Sequence, residues 1–408
     1  MPLSTQSSDS LSSAGRQSFG VNSVSDFLAQ FPIPTNLPSN KWQDIPVTFL
    51  HDNEIALIDP ETSMEEASSI LIDRDLSALP IVAAKGSNEI ATTFDYADLN
   101  SFLLMVVGFD DFNDGRFKKV AEDIRAGKVI TAYEVAKLGK NKDDFITIPH
   151  TTSLGRLAEI LSSGIRRVAV TNEQGELSFM ASQRSIIRFL WNNIRAFPDL
   201  EPLMSRTIHS LDIGSTDITC ISGDQKVAAA LRQMNQTGIG SLAVVDAQFR
   251  LLGNISLVDV KYVTRSSSVY LLNKSCAHFL SVIKSEQGIR AGKDSAPAFN
   301  IYESSTFAFT LAKLVATQCH RLWLVQSPSC PPSPKNNAHL SPGSMGGVKV
   351  NQLLGVVSLT DIISVLYAHM KGTLPPAPHS APSLRHGRRG STSSHRSHSK
   401  ASVDTQRR

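Results

Sequence analysis

One pattern occurs four times along this chain, and internal repetition constrains a fold more than any single motif does. Each copy opens with a short β-branched segment ending at a turn: residues 57–60, 146–149, 218–221 and 299–302. An amphipathic helix follows, over residues 64–73, 154–162, 226–234 and 307–316. Next comes a strand, at 79–82, 167–170, 241–245 and 321–325, and then a third strand that runs straight into a helix. The hydrophobic period switches from 3.6 to 2 and back within each copy, which predicts an α/β fold of strand–helix–strand–strand–helix units. One such unit is too small to bury both its faces, so the copies are expected to pair, each pair burying its own apolar faces.

The last copy carries the most chemistry. Leu354-Gly355-Val356-Val357-Ser358-Leu359-Thr360-Asp361-Ile362-Ile363 reads as a strand turning into a helix. Ser358 and Thr360 offer hydroxyls, and free N–H groups at a helix start favour an anion. Asp361 can accept hydrogen bonds from a ribose diol. His320 and Arg321 stand before the second strand of the same copy; arginine binds phosphate through two parallel bonds, and histidine adds a donor whose charge depends on pH. The third copy keeps Ser256 and Asp259 but has Val258 in place of the second hydroxyl. The first keeps Asp98, with Asp95 where Ser358 stands, a carboxylate expected to repel phosphate. The second has Ser185 in place of the acid, with Arg184 and Arg188 nearby and the basic pair Arg166-Arg167 available to a ligand held by another copy. The competing reading is that Asp98, Asp259 and Asp361 only cap their helices.

This arrangement resembles the cystathionine-β-synthase (CBS) domain over roughly residues 41 to 372. The resemblance implies four repeats in two tandem pairs, with adenine nucleotide (AMP, ADP or ATP) as a regulatory ligand in the clefts. The order of acids (Asp98, none, Asp259, Asp361) and of basic pairs (Arg166-Arg167, His320-Arg321) is similar to that of the gamma subunit of AMP-activated protein kinase. Longer segments resemble the fungal Sds/Moc family of CBS-domain regulators: residues 251–264, 276–283 with 292–295, and 311–323. That resemblance implies roles in DNA replication, cell separation and nutrient response, and inhibition of a type 2A-like protein phosphatase.

Composition marks the boundaries. Residues 1–40 are rich in Ser, Gln, Asn and Pro and are expected to be disordered, apart from an apolar segment at 24–31 expected to dock on its own module, with a partner-binding motif as the alternative. The repeats are placed at 41–105, 144–200, 201–272 and 273–372, with a charged connector at 106–143 that holds a helix at 117–125. Residues 327–352 form a Pro/Ser/Gly-rich insert in the fourth repeat, expected to lie outside the core. The basic tail from residue 373 cannot build a core. Within it, Arg388-Arg389-Gly390-Ser391 suits a basophilic kinase, which makes Ser391 a candidate phosphorylation site.

Several functions are disfavoured by the residues themselves. No Walker motif, His-Glu-x-x-His, Gly-x-Ser-x-Gly or Cys-x-x-Cys occurs, so no enzyme is expected. A net charge of +3 gives no global pull toward nucleic acid or membrane. The start of the chain predicts no secretory signal, and no uncharged run reaches the ~20 residues of a membrane span. Cys220, Cys276, Cys319 and Cys330 lack metal spacing and fit a reduced compartment, cytoplasm and nucleus. The expectation is a non-catalytic regulator that inhibits or scaffolds a phosphatase in trans, tuned by nucleotide. The alternative is a gamma-type subunit of a heterotrimeric kinase.

Overall fold

The structure is a computed structural model that describes residues 36–50, 55–109, 115–139, 146–265, 267–291, 299–327 and 350–374. The segment at 24–31, most of the insert (328–349), Cys330, the tail and Ser391 lie outside the described residues.

Repeat 1 comprises α1 (Met64–Asp73), β1 (Ala78–Val82), β2 (Ile90–Asp95) and α2 (Tyr96–Val106). Two further helices follow, α3 (Gly115–Arg125) and α4 (Ala132–Ala136). Repeat 2 comprises β3 (Thr147–Pro149), α5 (Leu154–Ser162), β4 (Arg167–Thr171), β5 (Leu177–Ser182) and α6 (Gln183–Asn192). After the short helices α7 (Glu201–Met204) and α8 (Ile208–Leu211), repeat 3 has β6 (Cys220–Ser222), α9 (Val227–Thr237), β7 (Ser241–Val245), β8 (Leu251–Ser256) and a 3₁₀ helix (Leu257–Tyr262). Repeat 4 opens with α10 (Cys276–Ala291) and continues through β9 (Asn300–Ile301), α11 (Phe307–Thr317), β10 (Arg321–Val325), β11 (Leu353–Ser358) and α12 (Leu359–Met370).

Repeats 2, 3 and 4 each form a three-stranded sheet, the first strand parallel and the last antiparallel to the middle one. Repeat 1 departs from this: its opening segment makes only a single bridge, Ile58 to Ile81. Proline explains the loss. In repeats 2 and 4 the ladder is extended by the N–H groups of Ala169 and Trp323, which donate to Ile146 and Phe299. The equivalent residue in repeat 1 is Pro80, which has no N–H to give. In repeat 3 the last helix shrinks to a 3₁₀ turn, consistent with the β-branched Val258, Val260 and Val263 along it.

The tandem pairs are closed by exchange. The chain ahead of each repeat packs on its partner rather than on the repeat it introduces. Residues ahead of repeat 1 bind repeat 2: the Val47 N–H donates to Thr152 O (2.8 Å) and the Leu154 N–H to Ile45 O (2.7 Å). Residues ahead of repeat 2 bind repeat 1 through Met64 N–H to Ile130 O (3.0 Å) and Ala132 N–H to Thr62 O (2.9 Å). The second pair repeats the device. Phe307 N–H donates to Arg206 O (2.7 Å), and Cys276 N–H donates to Gln225 O (2.7 Å). Trp42, Ile45, Val47 and Leu50, expected to open repeat 1, are therefore buried against repeat 2.

The helices do not follow the pairs. Repeats 1 and 3 share one apolar core, in which Leu99, Leu103 and Leu104 meet Leu231 and Val260. Repeats 2 and 4 share another, built from Leu157, Leu161, Ile186 and Leu190 with Leu311, Ile362, Ile363 and Leu366. The expectation that each pair buries its own apolar faces is thus corrected. Sheets meet within the second pair, where Ala243 and Val245 face Trp323 and Val325, whereas helices are buried between pairs.

The insert is shorter than its composition suggests. Asn351 and Gln352 are tied to the sheets: Leu251 N–H donates to Asn351 O (3.1 Å), and Gln326 N–H donates to Gln352 O (2.8 Å).

Candidate functional site

Every repeat turns from its last strand into its last helix through the same reciprocal cap. In repeat 4 the Ser358 N–H and hydroxyl donate to Asp361 Oδ2 at 2.7 and 2.8 Å, and the Asp361 N–H donates back to Ser358 Oγ at 3.3 Å. Repeat 3 uses Ser256 and Asp259 (2.7 and 2.8 Å), repeat 2 Ser182 and Ser185 (2.7 Å), and repeat 1 Asp95 and Asp98 (2.9 Å). Asp98, Asp259 and Asp361 therefore all cap their helices, and Ser358 already satisfies one of the helix-start N–H groups expected to attract an anion.

Burial then separates the acids. Asp98 and Asp259 are 3% and 8% exposed, whereas Asp361 is half-buried. Burial pushes the Asp259 carboxyl above its usual range, against the pull of the Ser256 bonds and Lys261. Asp361 thus stands more open to a ligand diol than Asp98 or Asp259 does. Asp98, Ser256 and Asp259, also expected to serve a nucleotide, are engaged in the caps of repeats 1 and 3. A carboxylate has about four lone-pair sites, so the two bonds to Asp361 Oδ2 leave acceptor capacity on Oδ1.

The basic residues act across repeats. The strands that start at Arg167 and Arg321 pair in register with Ser182 and Ser358, so each arginine stands beside a cap. From there Arg167 reaches into repeat 1, donating to Ser77 O at 3.0 Å and standing 3.5 Å from Asp95. Asp95, expected to repel phosphate, is instead paired with this guanidinium. Arg321 makes the equivalent reach into repeat 3, donating to Ser241 Oγ at 3.0 Å.

A second set of contacts joins repeat 2 to repeat 4. Arg184 Nη2 lies 3.0 Å from His320 Nε2. Buried Gln183 donates to Thr360 Oγ1 (2.9 Å) and to the carbonyls of Leu161 (3.1 Å) and Ile165 (3.2 Å). His320, Arg321, Ser358, Thr360 and Asp361 of repeat 4 are thereby gathered with Arg166, Arg167 and Arg184 of repeat 2 in one cationic cluster. His320 is exposed to water. Protein packed around the ring, together with Arg184, Arg167, Arg321 and Arg166, holds it well below the usual value of 6.5. Because water still reaches the ring, the four like charges secure the direction of this shift. Arg321 is depressed by burial and by Arg166, with Asp361 opposing.

The corner between repeats 1 and 3 carries acids and no basic pair. Tyr96 stands where Gln183 does, and Val258 stands where Thr360 does. The Tyr96 hydroxyl is buried without a partner, and burial with Asp75, Asp259 and Tyr262 pushes it to about 12. Lys261 lies 3.8 Å from Asp75. Sequence reasoning missed Gln183 and the direct contact of Arg184 with His320. Both adjoin the lost acid position of repeat 2, and only the arginine carried a charge to notice. Among the described residues, no group of three or more His, Cys, Asp and Glu could hold a metal ion, and no helix is long and apolar enough to cross a membrane.

Four capped strand–helix corners in exchanged tandem pairs define a CBS-domain protein, and the CBS domain family matches residues 135–192 and 210–264. A solved protein from Methanocaldococcus jannaschii, proposed to be an archaeal homolog of g-AMPK, shares the fold with a TM-score of 0.56 and 15% identity, over 79% of this chain and all of that one. The chain belongs to the SDS23 family. Protein SDS23 of Vanderwaltozyma polyspora is 38% identical over 365 residues, 80% of this chain and 69% of that protein. Protein sds23 of Aspergillus niger is 36% identical over 89% of this chain and 80% of its own length. Protein SDS24 of Saccharomyces cerevisiae is 41% identical over 71% of this chain and 56% of its own.

Proposed function

We propose that this protein is a non-catalytic regulator that binds an adenine nucleotide at the cationic cluster between repeats 2 and 4. The observation that carries the reading is the meeting of four guanidiniums and His320 beside an accessible carboxylate, Asp361. Phosphate groups complement the first, a ribose diol the second, and the Thr360 hydroxyl completes a polar lining. Repeats 1 and 3 carry no basic pair and bury Asp98 and Asp259, which favours this site, with Arg166, Arg167, Arg184 and Arg321 on the phosphates. Through its resemblance to the Sds/Moc regulators, the chain acts in trans, inhibiting or scaffolding a type 2A-like phosphatase in the cytoplasm and nucleus during cell separation, replication and nutrient response.

Calorimetric titration of the full chain with AMP and with ATP tests the ligand. Saturable binding that Asp361→Ala weakens supports it, and wild-type affinity in that variant refutes the assignment. Co-purification tests the target. A phosphatase catalytic subunit supports the trans regulator. Kinase alpha and beta chains support the second reading, a gamma-type subunit, which the order of acids and basic pairs along the repeats suggests.

A further inference from the structure

The contact between Arg184 and His320 fixes more than a distance. A guanidinium has donors only, so His320 Nε2, 3.0 Å from Arg184 Nη2, acts as the acceptor. The ring is then neutral, with its proton on Nδ1, and an imidazolium cannot make this contact. The charged groups around the ring explain why neutrality holds. Arg184 faces it from α6, Arg166 and Arg167 from the start of β4, and Arg321 from its own strand. Just ahead of β10, Cys319 also stands near Arg184, its thiol pushed up by burial. The two carboxylates of the neighbourhood are engaged with the arginines rather than with the ring, Asp95 beside Arg167 and Asp361 acting on Arg321.

Entry of an anion reverses each of these terms. Phosphoryl oxygens are stronger acceptors for Arg184 than an imidazole nitrogen is, and they cancel the like charge that keeps the ring neutral. The freed Nε2 is then best used as a donor. Resting on the nucleotide reading above, we propose that a phosphate-bearing ligand displaces His320 from Arg184 and is bound together with one proton, taken from solvent onto His320 Nε2, which then donates to the ligand. One N–H bond forms, the proton leaves a hydronium ion or buffer acid, and no other bond changes. His320 thus switches from an acceptor that links repeat 2 to repeat 4 into an additional cationic contact on the ligand.

Calorimetry of the full chain with ATP near pH 7, in three non-phosphate buffers of different ionisation enthalpy, counts the protons taken up. His320→Gln keeps a polar side chain but cannot titrate, so its uptake reports the ligand's own ionisation. The wild type is expected to take up roughly half to one proton more than the variant. Its affinity is expected to rise as pH falls from 8 to 6 by up to about tenfold per pH unit relative to the variant. Inorganic tripolyphosphate should show the same difference, because the exchange occurs at the phosphates. Arg184→Gln, which frees the ring beforehand, should reduce the uptake, and it serves if His320→Gln does not fold. Binding with equal uptake in wild type and variants overturns the proton exchange alone. No binding of ATP or tripolyphosphate by the wild type overturns the nucleotide reading and this inference with it.

Discussion

Replacing Arg321 with alanine tests the cluster most directly. The side chain is half-buried, donates to Ser241 Oγ at 3.0 Å and lies near both Arg166 and Asp361. Two effects on stability oppose each other. Loss of the bond to Ser241 costs about 1 kcal/mol net, while removing a guanidinium near Arg166 relieves repulsion. The melting temperature should therefore move by only about 2–4 °C. Ligand affinity has no such compensation. A charge-assisted bond to phosphate contributes about 1.5–3 kcal/mol, so Arg321→Ala should weaken nucleotide binding roughly tenfold to a hundredfold. Arg321→Lys should fall between, because it keeps the charge and loses the paired geometry. Titration calorimetry alongside thermal melts separates the two effects. A folded Arg321→Ala protein that binds AMP and ATP within about twofold of wild type refutes the cluster as the phosphate site.

Other consequences follow from particular contacts. A Cβ on Gly355 would stand 2.9 Å from the Ser215 carbonyl, so Gly355→Val should destabilise by about 1–3 kcal/mol, seen as a lower melting temperature; an unchanged melt refutes the close approach. Burial holds the Asp259 carboxyl above its ordinary 3.8, so the folded state keeps a proton the unfolded chain has released. That contribution is complete below 3.8 and is lost as pH rises through the folded value, so the stability gap should shift toward Asp259→Asn as pH rises to neutrality. A gap constant with pH, measured by denaturant unfolding, refutes it. Deleting residues 328–349 should leave the melting temperature nearly unchanged, and a large drop would make the insert structural. Phosphopeptide mapping from starved and fed cells should find phosphate on Ser391, with a changed partner set in Ser391→Ala; its absence in both conditions leaves the tail without this role.

The repeats were legible because their periodicity is strong: apolar residues at helical spacing in α5 and α11 and β-branched runs in β4 and β7 define the units without tertiary information. The exchange of lead-in segments was not legible. Each is a few residues held by backbone bonds such as Val47 N–H to Thr152 O, and backbone bonds leave no side-chain signature. The missing strand of repeat 1 was written in Pro80, whose significance appears only once the register with Ala169 and Trp323 is known. At the candidate site, residue types pointed to His320, Arg321 and Asp361 but could not rank three equivalent-looking acids. Burial distinguishes Asp98 and Asp259 from Asp361, and burial depends on which repeats face each other.

That facing also explains why the basic pairs occur in alternate repeats. Sheets bring repeat 3 beside repeat 4, and Arg167 ties repeat 1 to repeat 2. If a ligand lay only between such neighbours, one basic pair would meet one acidic or neutral repeat, as Arg167 meets Asp95. The helical cores cross instead from repeat 2 to repeat 4, the two repeats that carry basic pairs. Crossing turns a sequence alternation into a spatial cluster, where Arg166, Arg167 and Arg184 act on His320 and Arg321. The same crossing joins repeats 1 and 3, which lack such pairs, and there Tyr96, Val258 and a lysine beside Asp75 take the equivalent places. One topology therefore produces one cationic cluster and one corner without it, and the difference between them is decided by residues two repeats apart in sequence.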